Sequence, residues 1–427
     1  MIQVPTQSDS LNTWLEYLLA RHTSELASMD LGLERVGQVA ASMGLLDLAP
    51  TRVITVGGTN GKGTSCAMLE SILRDAGMSV GVYSSPHLVH FNERVRINGI
   101  DAPDADIIGA FAAIEQARGD TSLSYFEFAT LTGLYLFKQA KLDVAILEVG
   151  LGGRLDATNI IDADVAVVTA VDLDHQEFLG NTRESVGFEK AGIFKSGKQA
   201  ITGEPDLPIT VTQVADKVGA PLHRVGKEFN YKSVGPEGEQ LERWQFRGQR
   251  WQLDNLPMPN LPLPNAATAL AALEMLLPEL PQSSIERGLI NARLTGRFEK
   301  ISDKPLTILD VAHNPHAARY LASRLEQYQG KRVLALCGML KDKDIAGVLE
   351  VMSPVVDEWF LTELDTERSA ELSTLTQCLP KEAQYQAFTQ ADAAWQALTS
   401  GVSEDDVVIV FGSFYTVSAV KSFIDGE

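Results

Sequence analysis

The sequence predicts an α/β protein: a larger N-terminal part with a mainly parallel sheet around a phosphate-binding loop, then a smaller α/β part. Three observations predict it. Short β-branched runs alternate with longer helical stretches. The apolar run from Arg52 leads through Gly57 straight into Gly58-Thr59-Asn60-Gly61-Lys62-Gly63-Thr64. A second strand–helix series starts after Arg297. At 427 residues the chain exceeds one ordinary hydrophobic core, so a boundary is expected near residue 296.

The first expected strand, Arg52 to Val56, turns at Gly58–Thr64 into a helix from Ser65 to Ala76. Glycines let backbone N–H groups approach phosphate oxygens, and a helix N-terminus adds partial positive charge. Lys62 would bridge the outer phosphates of a nucleotide, and Thr64 offers a hydroxyl to Mg²⁺. The loop departs from G-x-x-x-x-G-K-[ST], because Gly63 separates the lysine from the threonine. A chance glycine-rich turn is the alternative, and the flanking strand and helix argue against it.

Further strands are expected at Ser79 to Tyr83, Val144 to Glu148 and Val165 to Val171, each ending in polar residues: Ser84-Ser85-Pro86-His87, Glu148, and Asp172-Leu173-Asp174-His175. In an open parallel sheet those carboxyl ends converge on the ligand crevice. Ser85, Glu148 and His175 there make a candidate Mg²⁺ shell, with imidazole an unusual ligand for a hard cation. Singly, each also reads as a turn residue, a solvated strand end or a helix-start hydrogen bonder. The glycine-rich segment from Glu148 to Asn159 is expected to be a loop over the site held by Arg154 and Asp156. Lys190, beside Glu189, reads from spacing alone as a solvated face.

Between Leu222 and Leu256 paired aromatics around Arg247-Gly248-Gln249 suggest an antiparallel hairpin region. The proline-rich run Leu256 to Pro264 is expected to stay extended up to Asn265, where an alanine-rich helix begins. The second series has expected strands at Leu306 to Leu309, Arg332 to Leu336, Glu358 to Leu361 and Val407 to Phe411. Asp310 and His313 follow the first of these and Ser413 follows the last.

Net charge is −20 and the composition is 45% hydrophobic. Such a surface repels nucleic acid and anionic lipid, so neither is expected as a partner. Three widely spaced cysteines fit a reducing compartment better than a disulfide framework. No segment is apolar enough to span a bilayer, and a cytoplasmic monomer is expected.

Taken together, Gly58–Thr64, Ser84-Ser85-Pro86-His87-Leu88, the Glu148–Asn159 segment and Asp310-Val311-Ala312-His313-Asn314-Pro315 resemble the dihydrofolate synthase/folylpolyglutamate synthase family of the Mur ligase superfamily. The resemblance implies a Mur ligase-like fold. Residues 1–296 would bind ATP and the pteroate or folate, and 297–427 would be the glutamate-ligase domain. It implies ATP, L-glutamate and dihydropteroate or folates as substrates, joined through an acyl phosphate. It places the phosphates on Gly58, Thr59, Asn60, Gly61, Lys62, Gly63 and Thr64, with Asn265, Arg297 and Asp310 completing the nucleotide site. Thr64, Ser85, Glu148, His175 and Lys190 would serve two Mg²⁺ ions, Lys190 as a carbamate formed with CO₂, which replaces the solvated-face reading. Catalysis would involve Lys62, His175, Lys190 and His313. Asp30, Leu31, Gly32, Phe126, Arg154, Asp156 and Ser413 would border the acceptor substrates. The alternatives are a monofunctional folylpolyglutamate synthase and a Mur-type amino acid ligase. Against the second, fewer than sixty residues precede the phosphate loop, where such ligases usually carry a UDP-binding domain. A regulatory P-loop ATPase would need no acceptor-side domain, and a dead binding module would not need Lys62, Glu148 and His175 intact.

Overall fold

The structure, a computed structural model, describes residues 4–22, 32–234 and 243–426. It divides into two compact units, Met1–Ala292 and Arg293–Glu427.

The first unit is built on eight strands: β1 (Arg52–Gly57), β2 (Val80–Tyr83), β3 (Val95–Ile97), β4 (Ile100–Asp101), β5 (Val144–Glu148), β6 (Val165–Val168), β7 (Gln199–Thr202) and β8 (Leu222–Arg224). Their order is β4-β3-β2-β5-β1-β6-β7-β8, parallel except for the β3 and β4 edge. Every residue of β2, β5 and β6 is buried. Strands covered on both faces read as continuous apolar runs instead of alternating ones, which is why they stood out in the sequence. On one face Val53, Tyr83 and Leu147 pack with Trp14, Phe111, Phe128 and Phe137. On the other, Val149, Ala166 and Val168 pack with Val186, Ile193 and Val211.

The aromatic-rich region forms three antiparallel strands, β9 (Asn230–Val234), β10 (Arg243–Arg247) and β11 (Gln252–Pro257). The buried carboxylate of Glu274 accepts the N–H groups of Gln249, Arg250 and Trp251 and so ties the β10–β11 turn to the helix Leu263–Leu276.

Three expected boundaries shift. The helix after the phosphate loop starts at Lys62, because Gly61 at φ 86° is its cap. The alanine-rich helix starts at Leu263, capped by Pro262, with Pro264 in its first turn. Proline is excluded from a helix interior but tolerated there, since first-turn N–H groups have no intrahelical acceptor. Strand β6 stops at Val168, where Thr169 turns its hydroxyl to the phosphate loop.

The second unit holds β12 (Glu299–Asp303), β13 (Leu306–Leu309), β14 (Val333–Cys337), β15 (Glu358–Thr362), β16 (Gln384–Phe388) and β17 (Val407–Phe411). Their order is β12-β13-β17-β14-β15-β16, parallel except for the β12 edge. Its own core includes Ile308, Leu321, Leu349, Trp359 and Phe411.

Candidate active site

The phosphate loop is fixed through its carbonyls. Lys62 Nζ donates to the Gly58 oxygen at 3.0 Å and Thr64 Oγ1 to the Gly61 oxygen at 3.0 Å. Thr169 Oγ1 donates to the Asn60 oxygen at 2.6 Å, and Thr59 Oγ1 to the Asp172 oxygen at 3.0 Å. With these acceptors engaged, the N-terminus of the helix Lys62–Asp75 provides the donors and dipole that suit an anion. Gly63 lies in the first turn of that helix. Two glycines are required by space. A Cβ on Gly58, at φ 145°, would lie 1.9 Å from Thr169 Oγ1, and one on Gly61 would lie 2.6 Å from Asn265 Oδ1. Asn265 Nδ2 in turn donates to Thr64 Oγ1 at 2.7 Å, so this predicted nucleotide residue does sit against the loop.

The register β1–β5 sets Glu148 opposite Val56, beside the loop. Glu148 is 5% exposed, and both Glu148 and Lys62 act electrostatically on buried Cys66 of the following helix. Lys190, in the helix Arg183–Ala191, is 4% exposed. Burial brings its pKa down from 10.5 to about 7; the Lys62 charge pushes the same way, and Asp174 and Asp156 oppose. Near neutrality much of Lys190 is therefore an uncharged amine. His175 caps a short helix at φ 48°, 3.9 Å from Asp174 Oδ2, with its side chain 44% exposed. Ser85 follows β2 and is half-buried.

Among the described residues no three His, Cys, Asp or Glu side chains cluster as a metal cage. The donors offered are the carboxylate of Glu148, the hydroxyls of Thr64 and Ser85, and the imidazole of His175. The oxygen donors of that set fit a hard divalent cation which keeps water and nucleotide phosphate oxygens in its shell, whereas the imidazole is the less suited member.

The glycine-rich segment is stitched by Asp156. Its Oδ2 accepts the N–H groups of Gly150 (3.0 Å) and Leu151 (2.9 Å), and its Oδ1 accepts the backbone N–H (3.0 Å) and the hydroxyl (2.7 Å) of Thr158. Arg154 is held by Glu189, Nη2 to Oε1 at 2.9 Å, and lies over the Phe188 ring. The loop is thus anchored to the Lys190 helix, and Arg154 and Asp156 act first as its fasteners. A Cβ on Gly150 would lie 2.6 Å from the Phe126 ring, which packs against Tyr83 with centroids 6.1 Å apart. Gly32 opens the stretch before the helix Glu34–Ser42, whose Arg35 reaches Glu127 at 3.4 Å. Asp30 and Leu31 lie outside the described residues.

In the second unit, Asp310 is 9% exposed; its carboxylate accepts the N–H groups of Phe298 and Ala312, both at 2.8 Å. Burial raises its pKa, while the Arg297 charge chiefly opposes the rise. Arg297 lies 5.3 Å from the centre of the Phe414 ring, and His313 packs on the same ring at 6.4 Å. The Val311 carbonyl, 2.8 Å from His313 Nδ1, is an acceptor only. It therefore places a proton on Nδ1 and leaves Nε2 as the basic nitrogen of the neutral ring. Ser413 is 3% exposed and its hydroxyl caps the helix Phe414–Asp425 through Thr416. The structure thus gives Ser413 a capping task and places Phe414 between the predicted residues Arg297 and His313.

Thr169, Phe414, Arg324 and Arg94 escaped the sequence reading. Arg94 is buried, donates to His87 Nδ1 at 2.7 Å, and faces the rings of Phe91 and Tyr125. Nothing local marks it. Phe414 alone had a signal, its place directly after a strand-end serine.

A P-loop sheet joined to a second parallel α/β unit is the architecture of a Mur-type ATP-dependent ligase. Residues 56–272 match the Mur ligase middle domain and 296–414 the Mur ligase glutamate ligase domain. The dihydrofolate synthase/folylpolyglutamate synthase of Escherichia coli (strain K12) is 51% identical over 426 residues, covering 100% of this chain and 98% of the relative. The structure of E. coli FolC in complex with DHPP and ADP superposes with a TM-score of 0.93 at 51% identity, covering 99% of each chain. A bifunctional folylpolyglutamate synthase/dihydrofolate synthase with Mn, AMPPNP and L-glutamate bound gives 0.91 at 49% identity, covering 99% of this chain and 100% of that one. The chain belongs to the dihydrofolate synthase/folylpolyglutamate synthase family of Mur ligases.

Proposed function

We propose that the chain joins L-glutamate to dihydropteroate, forming dihydrofolate, and adds further glutamates to tetrahydrofolates, with ATP cleaved to ADP and phosphate in each cycle. The observation that carries the proposal is the phosphate loop with Lys62, Glu148 and half-neutral Lys190 gathered beside it, in a chain with full-length relatives of these two activities.

A carboxylate is a poor acyl donor because its leaving group would be oxide. Phosphorylation by ATP makes phosphate the leaving group instead, and the free amine of glutamate then attacks the acyl phosphate. Lys62 and the helix N-terminus hold the outer phosphates and balance charge on the transferring group. Asn265 orients Thr64, and Glu148 and Thr64 supply oxygen ligands for a divalent ion. Mg²⁺, bound with the nucleotide, would neutralise the developing phosphate charge. Lys190, with a substantial uncharged fraction near neutral pH, is suited to react with CO₂ as its carbamate, which would present oxygens towards a second ion. Arg297 and Asp310 belong to the nucleotide, and the amine reaches the acyl phosphate either after giving its proton to His313 or as the neutral form taken from solution. Phe126 and the Asp156-held loop border the pteroate.

Purified protein with ATP and Mg²⁺ should release phosphate only when L-glutamate and either dihydropteroate or tetrahydrofolate are both present. Glutamate-independent turnover, or turnover only with a UDP-linked precursor, would overturn the proposal. Turnover with tetrahydrofolate alone would leave a monofunctional enzyme.

A further inference from the structure

The start of the second unit carries an unusual backbone. Phe298 sits at φ 46°. Among the described residues, the other non-glycine residues with positive φ are two asparagines, a lysine and a histidine. For a bulky side chain the left-handed region is a true outlier, and it persists only where surroundings over-determine it. Two contacts do so here. The Phe298 N–H donates to Asp310 Oδ2 at 2.8 Å. The Arg324 guanidinium lies over the Phe298 ring at 4.1 Å, the shortest such contact among the described residues. Arg324 is itself steadied by Tyr320, Nη1 to Oη at 3.1 Å. Immediately before, Gly296 at φ 68° gives its carbonyl to the Val311 N–H at 2.9 Å and its N–H to Glu299 Oε2 at 2.7 Å. Arg297 stands between these two left-handed residues, so its direction depends on both.

We propose that Arg324 is a positioning residue for nucleotide turnover: by clamping the Phe298 ring against the Asp310-bound turn, it fixes the backbone that aims the Arg297 guanidinium along Phe414. The inference rests on the assignment of Arg297 and Asp310 to the nucleotide. Arg324 need not touch ATP. It lies in the last turn of the helix Pro315–Leu325, away from the strand-end segments whose residues the sequence marks.

The test uses the full chain and four variants: Arg324→Met, Arg324→Lys, Phe298→Gly and Arg297→Met. Steady-state kinetics with ATP, L-glutamate and dihydropteroate are combined with thermal melts. Arg324→Met should raise KM for ATP about tenfold, within the range a desolvated cation–π contact spans, with KM for glutamate and the melting temperature unchanged. Arg324→Lys, which keeps a cation over the ring, should recover most of the loss. Phe298→Gly keeps the left-handed turn accessible but removes the ring; it should reproduce the rise in KM for ATP with KM for glutamate unchanged, at a lower melting temperature because that ring is part of the core. The proposal is overturned if Arg297→Met is impaired while Phe298→Gly keeps a normal KM for ATP. It is also overturned if KM for both ATP and glutamate rises with a lower melting temperature, the mark of a merely structural role. Normal turnover by Arg297→Met would instead remove the nucleotide-site assignment on which the proposal stands.

Discussion

Replacing Lys190 by methionine keeps an unbranched apolar stem of nearly the same length and deletes its titration. In the folded protein burial, and then the charge of Lys62, bring the Lys190 pKa from 10.5 down to about 7. At about 1.4 kcal/mol per pH unit this disfavours the buried ammonium by about 5 kcal/mol. The sign follows from proton counts. Between pH 7 and 10.5 the unfolded chain holds a proton on Lys190 that the folded chain has largely lost, so stability rises with pH across that window. The cost is fully present below pH 7 and fades towards 10.5. Lys190→Met should therefore be the more stable protein at neutral pH in CO₂-free buffer. Its advantage over the parent should shrink by about 2 kcal/mol between pH 7 and pH 9. Urea unfolding at the two pH values, followed by tryptophan fluorescence, measures the difference. Bicarbonate with Mg²⁺ should then stabilise the parent and leave Lys190→Met unmoved, while the variant loses turnover. An advantage independent of pH would refute the burial argument; full activity in the variant would refute the carbamate.

Three other perturbations bear on the loops. Asn265→Ala removes the 2.7 Å bond to Thr64 Oγ1, and a loss of about 1 kcal/mol should weaken ATP use about fivefold in KM. Gly58→Ala sets a methyl 1.9 Å from Thr169 Oγ1 at a φ that favours glycine; calorimetric titration should show ATP binding lost while circular dichroism is retained. Asp156→Asn can keep only part of the four bonds its carboxylate accepts. Thermal denaturation should show about 2–4 kcal/mol of destabilisation, and KM for dihydropteroate should rise more than KM for ATP.

What the sequence determined by itself was local or strongly periodic. The strand–glycine–helix passage at Gly58–Thr64 is legible because backbone conformation, donor direction and lysine placement all lie within a few residues. The buried strands β2, β5 and β6 are legible because two covered faces demand an unbroken apolar run. Asp156 was legible as a fastener, since carboxylates beside glycine-rich turns find backbone N–H groups nearby. Spacing misled at Asn265, where prolines that read as a barrier stand in a helix's first turn. It misled again at Lys190, where a charged neighbour suggested solvent. Only the tertiary structure decided the rest. Burial of Lys190 comes from packing of its helix beside the phosphate loop, and its depressed pKa from that burial first and then from Lys62, which lies more than a hundred residues earlier in the chain. The clamp of Arg324 on Phe298 and the shared ring of Phe414 join residues with no sequence periodicity between them. Charge and desolvation depend on distance in space, and folding alone sets that distance.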